Sequence, residues 1–426
     1  MLTLIKGGRV IDPGNLDGIM DIVVENGKIV EIKKGVLING DNTELTIIDA
    51  SQKLVVPGLI DMHVHLRDPG HEYKETIETG GLAAAFGGFT AICCMPNTDP
   101  VNDSRQVTEY ILKKAKKADT VRVYPVAAIS KGLRGENLCE YGELKDAGAI
   151  AVSDDGNSVM NSQLMRRALE YAGGFDLPVI SHCEDLDLAS GGAMNEGAVA
   201  TQMGLSGIPN AAESIMVLRD IALSELTGIP VHIAHVSTRE SVRAIRDAKK
   251  RGVCVTAETT PHYFTITDTA VRDYNTNAKM NPPLRTEQDR EAIWQGLADG
   301  TIDVIATDHA PHSIIEKAVE FDQAANGIIG LETSVSLSLK LIETGIIGIT
   351  DLIEKMSTNP ARILGLENGL KTGRAADITI IDPEISYRIN ADRFQSLSRN
   401  TPFNGWNAKG KAVLTMVGGK IVYQDQ

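Results

Sequence analysis

Asp61-Met62-His63-Val64-His65-Leu66-Arg67-Asp68-Pro69-Gly70 decides how this chain folds. It continues the apolar run Leu54-Val55-Val56-Pro57-Gly58-Leu59-Ile60. A short apolar run bounded by turn residues predicts a buried strand. Side chains alternate along a strand, so His63 and His65 leave on one side and Arg67 follows a step further along the same face. Two neutral imidazoles on one face at a strand end make half of a zinc site. Taken alone, the pair reads equally well as a half-exposed strand with two solvated histidines.

The segments beyond it repeat the same design. Apolar runs at 59–66, 89–95, 121–128, 149–153, 178–182, 230–236, 253–258 and 303–307 predict eight strands. Between them, 103–118, 241–250 and 286–298 have helical spacing of apolar residues. Strands alternating with helices predict an α/β fold, a (β/α)8 TIM barrel, over 55–365. A doubly wound open sheet would want a Gly-rich phosphate turn after its first strand; here HVHLRDPG stands in that place. The ends of the chain read differently. Asn26-Gly27 and Gly418-Gly419 each sit between alternating apolar residues, which is a hairpin signal, and 376–382 is a further strand. Residues 1–54 and 366–426 therefore predict one small β-sandwich-like domain assembled from both termini.

Barrel enzymes gather their chemistry at the C-terminal ends of the strands. The ends predicted here are rich in donors: His63 and His65; Asn97; Asp154 and Asp155; His182, Cys183 and Glu184; His232 and His235; Asp308, His309 and His312. Of the nine histidines, His71 and His262 alone fall outside these ends. A scatter of structural histidines would not concentrate in this way, so a metal site is expected. His232 and His235 point to opposite faces; His235 is nearer the rim and better placed as a ligand, while His232 suits a hydrogen-bonded core position. Alternation cannot choose between Asp154 and Asp155. Asp308 follows apolar Val304-Ile305-Ala306 directly, which argues against a merely solvated acid. Adjacency of Cys183 to His182 on a strand does not make a catalytic pair.

The formal charge of -14 argues against a general nucleic-acid or acidic-membrane binder. A local arginine still leaves room for an anionic small substrate. No apolar run reaches membrane-span length, and no secretory signal is read at the start. The five cysteines, Cys93, Cys94, Cys139, Cys183 and Cys254, have no CxxC spacing, so neither a disulfide framework nor a cysteine zinc site is expected. The expected compartment is the cytoplasm.

Together, DMHVHLRDPG (61–70), MPNT (95–98), SDDG (153–156), ISHCED (180–185), HIAHVS (232–237), ETTPHYF (258–264), MNPPLR (280–285) and ATDHAPH (306–312) resemble the cyclic-amidohydrolase branch of the amidohydrolase superfamily, most closely its class I dihydroorotase family. The resemblance spans essentially the whole chain. It implies zinc-dependent, reversible hydrolysis of dihydroorotate to N-carbamoyl-L-aspartate in pyrimidine biosynthesis. It also implies zinc on His63, His65 and Asp308, a second zinc on His182 and His235, and Asp155 bridging the two. Much of the superfamily bridges through a carboxylated lysine on the fourth strand. No lysine ends that strand here, since Lys145 precedes it, and one or two zinc ions remain open.

By the same resemblance Arg67, Asn97 and His312 hold the substrate carboxylate and Asn281 lies near the ring. Asp308 takes the proton of the attacking water and passes it to the departing ring nitrogen. The alternatives are another cyclic amidohydrolase (allantoinase, or hydantoinase/dihydropyrimidinase) and a non-catalytic dihydroorotase-like partner of aspartate transcarbamoylase. Substrates of the former lack the carboxylate that Arg67 would bind, and the latter should have lost metal ligands. A homodimer and a complex with aspartate transcarbamoylase are the partners left open; neither nucleic acid nor a membrane is expected.

Overall fold

A computed structural model describes residues 2–36 and 45–425; positions 37–44 of the expected N-terminal β segment, and both end residues, lie outside the described residues. Eight parallel strands pair in sequence order: β1 (Leu59–Val64), β2 (Phe89–Cys94), β3 (Arg122–Ala128), β4 (Ala151–Ser153), β5 (Val179–Ser181), β6 (Val231–Ile233), β7 (Val255–Thr259) and β8 (Val304–Ile305). A parallel bridge between Val64 and His309, with His65 N–H donating to the His309 carbonyl at 2.8 Å, brings β8 back to β1. The result is a nearly closed (β/α)8 barrel. β1, β2, β4, β5, β6 and β8 are buried along their whole length, as strands covered on both faces must be.

The predicted helices form at Arg105–Ala118, Arg239–Lys250 and Glu287–Ala298. In the second, the Thr238 hydroxyl accepts from Ser241 N–H and caps the first turn. Val242, Ile245 and Ala248 form its buried face. These helices lean on the strands through a continuous apolar layer that includes Ile92, Val152, Val179, Val231, Val255 and Ile305.

Several strands stop earlier than the apolar runs predict. β1 ends at Val64 rather than 66, β6 at Ile233 rather than 236, and β8 at Ile305 rather than 307. Soon after each, the backbone enters the left-handed region, at Arg67 (φ 59°), His235 (φ 31°) and Asp308 (φ 48°). A side chain there cannot continue the strand.

Strands from the two chain ends meet in a separate sheet. Ile378–Arg388 pairs antiparallel with Leu54–Pro57, which lies across the expected 54/55 boundary, and so joins the C-terminal strands to the N-terminal ones. The two predicted hairpin turns abut. A β-carbon on Gly27 would come within 2.6 Å of the Gly418 carbonyl oxygen, and one on Gly419 within 2.6 Å of the Gly27 α-carbon. Both turns have positive φ, so glycine meets both the conformational and the steric demand.

Candidate metal centre

Six of the expected donors converge at the C-terminal mouth of the barrel. His63 Nε2 lies 3.3 Å from Asp155 Oδ1, and His65 Nε2 lies 3.4 Å from Asp155 Oδ2. On the other side, His182 Nδ1 and His235 Nε2 each lie 3.4 Å from Asp155 Oδ1. Asp155 is therefore shared by two groups, His63–His65–Asp155 and Asp155–His182–His235, each compact enough to hold a metal ion. Asp308 Oδ1 is 3.2 Å from His65 Nε2 and 3.7 Å from His63 Nε2.

A β-bulge contributes to this aim. Four residues of β1, Asp61 to Val64, pass three of β2, Ile92 to Cys94, and a bulge re-aims the side chains beside it. The left-handed turns at His235 and Asp308 swing those side chains inward. Such conformations cost about 1–3 kcal/mol each and persist where surrounding structure enforces them.

Hydrogen bonds fix the orientation of the rings. His63 Nδ1 faces Glu258 Oε1 at 2.6 Å, and His65 Nδ1 faces Asn97 Oδ1 at 2.8 Å. Both partners are acceptors, so the Nδ1 atoms carry the protons and the Nε2 lone pairs point into the centre. There, His63 Nε2 and Asp155 Oδ1 are buried without a hydrogen-bond partner. His182 Nδ1 and His235 Nε2 stand 2.7 Å apart, two ring nitrogens converging on one point. Burial opposes ionisation of Asp155, yet His63, His182 and His235 hold its pKa well below the usual range. Burial likewise works against charging His182, and Asp155 and Glu184 bring it back up, to about 10. The array calls for positive charge at its middle, and imidazole plus carboxylate is a donor set suited to a divalent metal.

The other half of the cleft is polar. Arg67, Asn97, Asn281 and His312 line one cavity together with His65, Asp155, His182, His235 and Asp308. Arg67 reaches it differently from the expectation. It is not on the strand: β1 has ended, the chain turns at Arg67 itself, and the half-buried guanidinium hangs from the Pro311 carbonyl, with Nε donating at 3.3 Å. Burial lowers its pKa from the ordinary arginine value. His312 is also held down, to about 3, by burial and by the Arg67 charge, so it is neutral at pH 7. Asn281 Nδ2 donates to Glu184 Oε2 at 3.1 Å, which leaves its buried Oδ1 unpartnered.

The remaining strand-end residues sort themselves. His232 is buried between Thr256 Oγ1 (2.8 Å) and Glu258 Oε2 (3.2 Å), away from the centre. His309 pairs with Glu75 at 3.3 Å. Asp154 turns away and accepts from the Ile129 and Ser130 amides at 2.7 and 3.0 Å. Burial raises the Cys183 thiol well above its ordinary value, which makes it a poor nucleophile.

Two residues were missed. Glu258 backs His63, although its place at the end of an apolar run should have drawn attention to a buried acid. His262, set aside as lying outside the strand ends, is 2% exposed just past β7, and burial lowers its pKa to about 3 despite the nearby Asp308. It lies three residues past Thr259, the last residue of β7.

The sequence model of the Dihydro-orotase-like family matches residues 52–241. A dihydroorotase from Syntrophus aciditrophicus is 58% identical over 427 residues, covering 100% of each chain. A dihydroorotase from Desulforapulum autotrophicum is 60% identical over 424 residues, covering 100% of this chain and 99% of its own. Among solved structures, an L-hydantoinase (dihydropyrimidinase) from Arthrobacter aurescens superposes with a TM-score of 0.89 at 26% identity, over 99% of this chain and 96% of that one.

Proposed function

The chain belongs to the dihydroorotase family, and from that premise we propose how its buried donors and its cleft share the opening of a cyclic amide. It is a cyclic-amide hydrolase that interconverts dihydroorotate and N-carbamoyl-L-aspartate, a step of pyrimidine biosynthesis. The proposed metal is zinc, two ions: His63, His65 and Asp308 would hold one and His182 and His235 the other, with Asp155 available to both. Supporting this are the two donor groups that meet on Asp155 and the preference of zinc for neutral imidazole with carboxylate. When bound, such a metal supplies Lewis acidity toward a carbonyl and brings the pKa of water toward neutrality.

The side chains supply the rest. The Arg67 guanidinium receives the substrate carboxylate, a planar fork matched to two oxygens. The Asn97 amide nitrogen and neutral His312 complete that end. Asn281 has its nitrogen fixed by Glu184, so its free oxygen accepts a ring N–H. Burial opposes ionisation of Asp308, but the His65 and His63 rings beside it hold its pKa below the usual range. Asp308 accepts the proton of the attacking water and returns it to the departing ring nitrogen.

The observation that carries the substrate assignment is a half-buried arginine opening into the cavity that holds Asp155 and Asp308. The barrel alone does not discriminate, because hydantoinases share it closely. Removing one member of a buried ion pair costs about 3–5 kcal/mol, or roughly two to four orders of magnitude in kcat/KM. The metal-loaded protein should accordingly prefer dihydroorotate over hydantoin, allantoin and dihydrouracil by at least about a hundredfold. Equal or better turnover of a substrate without a carboxylate would contradict the assignment. The cytoplasm as compartment, and a homodimer or a complex with aspartate transcarbamoylase as assembly, belong to the same proposal. No helix among the described residues is long and apolar enough to cross a membrane. Sedimentation of the protein with and without the transcarbamoylase tests the assemblies.

A further inference from the structure

Asn400 comes from the C-terminal stretch Ser396-Leu397-Ser398-Arg399-Asn400-Thr401, far in sequence from every residue of the cleft. It is 3% exposed, and its side chain makes three hydrogen bonds, all to the backbone of cleft loops. Oδ1 accepts from His312 N–H at 3.1 Å, and Nδ2 donates to the carbonyls of Ala310 and Gly327 at 3.0 Å each. Ala310, His312 and Gly327 all line the cavity. The residue bracketed between the first two contacts is Pro311, whose carbonyl holds Arg67 Nε. Proline has no N–H, so the preceding peptide is held here through the Ala310 carbonyl. Gly327 passes so close that a β-carbon there would lie 2.6 Å from that of Ala310. One amide thus clamps two neighbouring loops and the carbonyl on which the guanidinium rests.

We propose that Asn400 is the positioning residue of the carboxylate-binding pair, setting where Arg67 and His312 stand through the Ala310–His312 backbone. This rests on the reading that those two residues bind the substrate carboxylate. Asn400 touches neither the metal donors nor the position of the reacting amide, so its loss weakens substrate capture while the bond-breaking step is spared.

The test uses the full-length, metal-loaded protein in four variants: Asn400→Ala, Asn400→Asp, Arg67→Met and the double variant Arg67→Met/Asn400→Ala. Asn400→Asp keeps the shape and the acceptor for His312 N–H, but in place of the two donations it sets a carboxylate oxygen against the Ala310 and Gly327 carbonyls; it breaks the same clamp without opening a cavity, so it carries the test if the alanine variant does not fold. Unpairing buried backbone groups predicts a KM for dihydroorotate raised about tenfold or more, with kcat changed by less than about threefold. Metal content should match the wild type, and trace turnover of dihydrouracil should fall less than that of dihydroorotate. In the Arg67→Met background the effect of Asn400→Ala should shrink at least about threefold, because coupled residues are not additive. A fall in kcat at unchanged KM, equal losses on both substrates, or additive effects would overturn the proposal. If Arg67→Met alone left KM for dihydroorotate unchanged, the proposal would fall with the reading beneath it, and that single variant would identify the reading as the fault.

Discussion

Replacing Glu258 by glutamine isolates the electrostatic part of the metal centre. The carboxylate is fully buried, with Oε1 2.6 Å from His63 Nδ1 and Oε2 3.2 Å from His232 Nε2. Burial works against its charge, but His63 and His232 keep its pKa below the ordinary range. Glutamine has the same shape. Its oxygen can accept from His63 Nδ1–H and its nitrogen can donate to His232 Nε2, whose ring then donates through Nδ1 to Thr256 Oγ1, 2.8 Å away. Both histidine contacts keep a partner and the fold survives; what is lost is the negative charge behind His63. Hydrogen bonds to charged groups contribute about 1.5–3 kcal/mol against about 0.5–1.5 for neutral ones. The difference, about 1–1.5 kcal/mol, is roughly tenfold in an equilibrium. Losing the carboxylate behind a metal-bound histidine typically costs about 10–100-fold in metal affinity or activity. Competition with a chromophoric chelator should show zinc affinity weakened in that range, with circular dichroism unchanged. Wild-type affinity in a folded Glu258→Gln protein would refute the assignment of His63 as a ligand supported by Glu258.

Three further outcomes follow from other parts of the cleft. Arg67→Met should lower kcat/KM for dihydroorotate by roughly two to four orders of magnitude while leaving metal content and dihydrouracil turnover nearly unchanged; parallel losses on both substrates would assign Arg67 a structural role instead. Asp308→Asn should retain metal but lose at least about 10²–10⁴-fold in kcat, since an amide cannot carry the proton, and near-normal kcat in the metal-loaded variant would remove Asp308 from the proton path. His262 and His312 have folded pKa values lowered to about 3 from 6.5, so the unfolded chain binds more protons than the folded one between those limits. Their contribution is fully present above pH 6.5 and is lost as pH falls toward 3. Urea midpoints at pH 7, 6 and 5 should therefore fall less steeply for His262→Gln than for the wild type, and a steeper fall would contradict the buried neutral histidine.

The barrel was legible because its strands are short and apolar, and three of the intervening helices show their own period. Strand ends were less legible. The alternation that correctly grouped His63 with His65 extended wrongly to Arg67, because a left-handed residue ends the pattern and nothing local in HVHLRDPG marks it. The choice of Asp155 over Asp154 came from resemblance; the structure places Asp155 among the imidazoles and turns Asp154 toward the Ile129 and Ser130 amides. Glu258 and Asn400 were invisible for another reason. Their partners lie 195 and 88 residues away in sequence, at His63 and His312, and only the folded chain brings such contacts together.

Asp155 is the residue shared by the two groups of donors, and the proposed metal centre depends on it most. Among the described residues, its carboxylate is the one acid within 3.3–3.4 Å of all four imidazoles. Metal per chain, measured by elemental analysis on wild type and Asp155→Ala purified side by side with zinc, addresses this directly. About two zinc ions are expected per wild-type chain and at most about one in a folded Asp155→Ala variant. Equal zinc in both proteins would contradict this.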